Sequence, residues 1–289
     1  MIDRMILHSV LIWATYGLTV QPLLAQSTSV PISAVHTRDL PRGTMVKDAG
    51  PRTYRFTVDY DTANRTGDVV HRQRVTGDYT RGLANGEVEW KDVGIAEVDG
   101  VTAPFPVPQK RDFMAGFHYP VGSPDTLKPD FFKSFPPNTV LERNLIWDTS
   151  MIELFGQNYF DQLKLNVPFH ISANQDVNMP GVGTFHSRDM VLEWVGRSER
   201  NGQDCALIDY RAFFNPLEIA TGGVTIQGRS DFWGEIWVSL ATKQIEYATL
   251  YEEVSGEMKL PGQDTAQPLS VFRFGALEPL SAKNSGGAR

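Results

Sequence analysis

The chain has 289 residues, 41% apolar and 21% charged, with a formal net charge of −7. This is ordinary globular composition with enough length to bury a large core, and it excludes a disordered or collagen-like chain. The acidic balance, without any run of Lys or Arg, argues against a nucleic-acid partner, which a basic face would mark.

Residues 1–25 read as a signal peptide. Arg4 gives a thin positive end, MILHSVLIWATYGLTV an apolar stretch, and Leu23-Leu24-Ala25 a small residue at the cut. Asp3 offsets Arg4 and His8 interrupts the apolar run, so a retained anchor is the competing reading. The run falls short of the ~20 residues that span a bilayer, which favours cleavage. No Cys follows it to carry a lipid. The expectation is an exported protein, periplasmic or extracellular and bacterial, not integral to the membrane after cleavage. Cys205 is the one cysteine, so no internal disulfide forms. It sits in an alternating stretch with no flanking base and reads as a small buried hydrophobe.

Residues 26–52 lack periodicity and hold three prolines, which reads as an N-terminal arm. A single, mainly-β domain is expected over 53–275. TYRFTVDY alternates cleanly, with Tyr54, Phe56, Val58 and Tyr60 on one face. VVHRQRVTGDYT and EVEWKDVGIAEV follow as strands between Gly/Asn turns. Residues 101–140 are rich in Pro and Phe and read as a connection packed down by its aromatics.

A helix is expected near 150–164. Ser150 and Glu153 form a capping box, and Met151, Phe155, Tyr159 and Leu163 recur every four residues. Gly156 inside it costs about 1 kcal/mol against Ala. Beyond 168 strands return. Asn201-Gly202 predicts a tight hairpin, because both central residues of its turn need positive φ. Unbroken pairing through it would put Val191, Glu193, Val195, Ile208 and Tyr210 on one face. Leu192, Trp194, Leu207, Asp209 and Arg211 would take the other. The tail, 276–289, is expected to be disordered.

SDFWGEIWVSLATKQIEYATLYEEV, 230–254, predicts a second hairpin turning at Thr242-Lys243. Its apolar face would hold Phe232, Ile236, Val238, Leu240, Ile245, Tyr247 and Tyr251. The other face would hold Trp233, Glu235, Trp237, Ser239, Glu246, Ala248, Leu250 and Glu252. Three arrangements fit that second face. A lid leaves an apolar cavity over it. Exposed tryptophans, about 13 Å apart, make a platform for sugar or peptide. Or the tryptophans are simply packed. Glu235 and Glu252 would be diagonal neighbours, the arrangement of a retaining glycosidase if about 5–5.5 Å apart.

Gly234-x-Ile236-Trp237-Val238, a Thr-Lys turn and Ile245-x-x-Ala248 follow a signal sequence and long antiparallel strands. This layout resembles exported bacterial half-barrel proteins, the periplasmic lipoprotein carriers and lipid-binding lipoproteins. The resemblance implies a bent antiparallel sheet with a lid over an apolar concave face.

Three histidines follow phenylalanine: His118, His170 and His186. They form the candidate zinc set of an alternative, metal-assisted hydrolase reading, although no His-x-His or His-Glu-x-x-His pair pre-forms a site. Gly122-Ser123-Pro124 is not a nucleophile elbow, and no Gly-rich stretch matches a phosphate loop. No catalytic residue and no cofactor is therefore assigned. The fold expected is all-β: a curved antiparallel sheet or open half-barrel with one packed amphipathic helix. The expected function is non-catalytic binding of an apolar or amphipathic, lipid-like ligand by Trp194, Trp233, Trp237, Phe155 and Tyr159. A third reading is an envelope protein that meets a protein partner through a sheet edge.

Overall fold

Strands take up most of the chain between Arg52 and Pro279. The computed structural model describes residues 40, 42–43, 46–48, 50–221 and 223–280. The expected signal peptide lies outside the described residues. The first strands are β1 (Arg52–Ala63), β2 (Val69–Arg81), β3 (Glu87–Asp99), β4 (Gln109–Lys110) and β5 (Phe117–Pro120). After the helix come β6 (Phe169–Met179), β7 (Gly183–Arg200), β8 (Gln203–Thr221), β9 (Val224–Ser239), β10 (Ile245–Lys259) and β11 (Gln267–Pro279).

All pair antiparallel in one sheet of order β4-β3-β2-β1-β11-β10-β9-β8-β7-β6, with β5 also beside β3. The sheet is open, not closed into a barrel. β1 and β11 meet mid-sheet, Tyr54 opposite Pro279. The expected tail therefore starts too early: 276–279 complete β11, and the Leu280 N–H donates to the Thr53 carbonyl. Alternation puts Tyr54, Phe56, Val58 and Tyr60 in the core, as their spacing predicts. Ile95 of β3, Tyr60 of β1, Val271 of β11 and Phe185 of β7 line one chamber, so the sheet is rolled around it.

Two β-bulges decide which side chains enter that roll. In the first hairpin Arg200 faces Gln203 across Asn201 (φ 52°) and Gly202 (φ 71°), as expected. The register then shifts between Trp194 and Gly196. Val195 is the extra residue, and a one-residue slip moves every later side chain to the other face. Leu192 and Trp194 thus join Ile208 and Tyr210 in the core, correcting the expected faces. The second hairpin turns through 240–244, not at Thr242-Lys243 alone, and shifts register between Ile245 and Tyr247. Its extra residue is Glu246, whose carboxylate is gripped by the Arg52 guanidinium at 2.8 and 2.5 Å. Ala248, Leu250 and Glu252 consequently face inward with Ile236 and Phe232, while Tyr247 and Tyr251 turn outward beside Trp237 and Trp233.

The helix α1 (Val140–Glu153) starts a full ten residues before the expected point. A π turn, Leu154–Asn158, and a short 3-10 turn, Phe160–Gln162, extend it. Ser150 is not a cap; its hydroxyl donates back to the Ile146 carbonyl at 2.8 Å. The buried side of α1 carries Glu142, Arg143, Asp148 and Glu153 among Leu145, Ile146 and Ile152. Those charges hide the apolar period from sequence reading. Gly156 lets the helix lie close on the sheet, because a Cβ there would stand 3.1 Å from Ile236 Cγ2 and 3.3 Å from Val238 Cγ2.

Residues 101–140 make aromatic contacts with one another and with α1. Phe117 meets Phe131 and Phe135 edge-on at 5.6 and 4.9 Å, and Phe132 meets Trp147 at 5.4 Å. The described part of the arm is tied in too. Leu40 is buried, and Asp48 pairs with Arg81 at 3.2 Å. Cys205 is fully buried, and burial pushes its thiol up to about 12.

Candidate ligand-binding chamber

Between α1 and the concave face lie two adjoining chambers, of about 410 and 550 Å³. Each falls within the roughly 300–1,000 Å³ of small-molecule sites. Asn144, Met179, Phe185, Glu252 and Arg273 line both and mark the junction. Trp147, Met151, Phe155, Met190, Phe232 and Leu250 make the walls of the first. Val121, Leu127 and Leu154 also line it and are exposed, giving it an apolar rim. The second extends under Val140 and Leu141 toward Val224, Ile226 and Val254.

A charged cluster sits at the junction. Arg273 of β11 donates through Nη1 to Glu252 of β10 and through Nη2 to Asp148 of α1. Its guanidinium lies 4.9 Å from the ring centre of Tyr60, whose hydroxyl accepts from Asn144 at 3.2 Å. The Ser230 hydroxyl donates to the other oxygen of Glu252 at 2.5 Å. All three charged side chains are only 10–11% exposed. Burial pushes Asp148 up to about 6, with Arg273 pulling it back and Glu252 pushing it further. Burial alone would weaken the Arg273 charge, yet Asp148, Tyr60 and Glu252 hold it well above its ordinary value. Carboxylates dominate the walls: Glu97, Glu142, Asp148, Glu153 and Glu252, against Arg111 and Arg273. Glu153 is already engaged by Arg81 at 2.6 Å and the Tyr79 hydroxyl at 2.8 Å. A separate polar depression of about 560 Å³ is lined by Arg52, Asn201, Gln244 and Glu246, which hydrogen-bond to one another.

Of the five residues expected to bind ligand, Phe155 lines the first chamber and packs on Tyr210 at 5.3 Å. Tyr159 packs on Phe169 at 5.6 Å, and Trp194 is buried with its indole N–H on the Gly196 carbonyl at 2.6 Å. Trp233 and Trp237 are on the outer face. Trp233 stacks on Tyr251 at 5.8 Å, and Trp237 meets Tyr247 edge-on at 5.2 Å. The bulge at Glu246 is the cause, and it dissolves the glycosidase pair as well. Glu252 faces Phe232 and points inward, whereas Glu235 faces Asp209 on the outside.

The histidines are not gathered either. His170 pairs with Asp189 at 2.7 Å, His186 with Asp176 at 2.6 Å, and His118 lies 3.9 Å from Glu87. Among the described residues no group of three His, Cys, Asp or Glu side chains is placed to hold a metal. No described helix is long and apolar enough to cross a membrane.

Sequence reading missed Asp148, Glu252 and Arg273 as a unit. One signal was present: in Val271-Phe272-Arg273-Phe274-Gly275, alternation with inward Leu277 puts Arg273 inside and both phenylalanines outside.

No protein-family model matches the chain, and no curated protein matches it. Among solved structures, one described as "Lipid-protein interactions in lipovitellin" aligns with 12% identity and a TM-score of 0.38. The alignment covers 84% of this chain and 26% of that one. A likeness that slight carries neither fold nor function across.

Proposed function

We propose that this protein binds an apolar or amphipathic, lipid-like ligand in the chamber under α1, without catalysis, and does so after export. The observation that carries this reading is the first chamber: an apolar space with an apolar rim and a small group of convergent polar side chains at its base. The layout is also the one implied by the resemblance to half-barrel carriers: a rolled antiparallel sheet, a helix laid across it and an apolar concave side. The binding residues in this reading are Trp147, Met151, Phe155, Met190 and Leu250, with Glu252 and Arg273 at the base.

Nile red, an uncharged dye that brightens in apolar surroundings, tests the reading. The folded protein should bind it saturably. Met190→Trp, which fills the wall of the first chamber, should weaken binding about tenfold or more while the cooperative unfolding transition persists. Unchanged dye affinity in folded Met190→Trp would move the ligand elsewhere.

A further inference from the structure

Resting on the chamber reading above, we infer that the ligand is an amphiphile with a cationic amine head, seated against Asp148, with its chain in the first chamber. Three observations point there. Asp148 is 8% exposed and lines the chamber. One of its oxygens, Oδ2, accepts from Arg273, while Oδ1 accepts from no donor among the described residues and is not sealed off from solvent. A buried carboxylate with a free acceptor calls for a donor, and a charged donor answers best.

Charge balance gives the second argument. The junction holds two carboxylates, Asp148 and Glu252, and one guanidinium, Arg273, so it carries a surplus negative charge. Arg273 gives both Nη groups to those two partners and lies on the face of Tyr60, and its Nε, which has no acceptor among the described residues, is sealed from solvent and out of a ligand's reach. Among the described residues neither chamber is lined by a Lys or a His, and Arg111, the other cation of the second chamber, is paired with Glu142 at 3.0 Å. An anionic head such as a fatty-acid carboxylate would therefore meet like charge in a poorly solvated place. An ammonium, with its three donors, reaches Oδ1 of Asp148 and neutralises the cluster.

Geometry supplies the third. Met151 and Leu154 follow Asp148 at helical spacing and line the same chamber, and Leu154, Leu127 and Val121 are its exposed apolar residues. The apolar path leads away from the charged base, which suits a ligand with one polar end. The buried carboxylate, held up near 6 by its surroundings, is relieved by an added positive charge.

The test is competition of dodecylamine, dodecanol and dodecanoate against Nile red at neutral pH, each below its aggregation threshold. The amine should bind about tenfold or more tighter than the alcohol, with the carboxylate weakest. In Asp148→Asn the ratio of amine to alcohol affinity should fall toward one. Dodecanol or dodecanoate matching the amine on the wild-type protein would overturn the inference and leave the chamber reading standing. Failure of all three to displace the dye would sink the chamber reading and this inference with it. Should Asp148→Asn not fold, the order of the three ligands on the wild-type chain decides.

Discussion

Each face of the sheet carries some residues of the kind expected on the other. The inner face keeps Arg273 and Glu252 almost wholly buried against Asp148 of α1. The outer face leaves Phe213, Trp233, Tyr251, Phe272 and Phe274 each about two-fifths exposed. Phe213 meets Trp233 at 6.3 Å, Trp233 meets Tyr251 at 5.8 Å, and Tyr251 meets Phe274 at 5.1 Å, a chain of rings across four strands. Such cross-strand pairs hold neighbouring strands together without being removed from water. Charge also behaves differently on the two sides. Outside, Arg74 and Asp59 form a two-pronged pair at 2.6 and 2.7 Å but stay 40% and 26% exposed. Inside, the pairs are desolvated, and each ion depends on its partner. Where large apolar side chains stand on both sides, as in β9 and β10, a strand's pattern says that it alternates, not which side is the core.

This contrast can be broken or sharpened by substitution. The largest effect is expected from Arg273→Met, which strands two buried carboxylates and should cost about 3–5 kcal/mol in urea unfolding. Arg74→Met on the outer face should cost within about 1 kcal/mol. Equal losses would erase the distinction between the faces. Next comes Gly156→Leu. Its side chain must enter space held by Ile236 and Val238, and a loss of about 1–3 kcal/mol should follow, read by the same unfolding curves. A gain there would mean that α1 does not rest on β9.

The smallest effect concerns Asp209, flanked on the outer face by Glu193 and Glu235. Burial, then Glu235 and Glu193, push its carboxyl up to about 6. The folded state thus holds this proton better than the unfolded state. The associated stability is present below the ordinary carboxylate range and is lost as pH rises through about 6. Asp209→Asn should then stabilise the protein at pH 7 by on the order of 1 kcal/mol, after allowing for solvent screening. The gain should shrink to nothing near pH 4. A gain independent of pH would assign it to hydrogen bonding and not to charge.

Much of the architecture was legible because alternation is a local signal. Tyr54, Phe56, Val58 and Tyr60 announce both a strand and its buried side, and Asn201-Gly202 fixes a hairpin. The helix was legible only in its last turns. Its first turns bury Glu142, Arg143 and Asp148, whose partners Arg111, the Pro180 carbonyl and Arg273 are far off in sequence. The candidate site was less legible still. Trp233 and Trp237 lie outside because of one extra residue, Glu246, and what favours that bulge is Arg52, almost two hundred residues away. A bulge set by a long-range ion pair leaves no mark within the hairpin. Phe155 lines the first chamber from the π turn, where the expected helix and the observed one overlap.

Native mass spectrometry of the detergent-free protein tests the central claim most directly, comparing wild type with Met190→Trp inside the chamber and Trp233→Ala on the outer face. The account predicts a retained lipid-sized mass, released on denaturation, in wild type and Trp233→Ala, and its loss from Met190→Trp. Equal retention by all three proteins, or loss from Trp233→Ala alone, would contradict it.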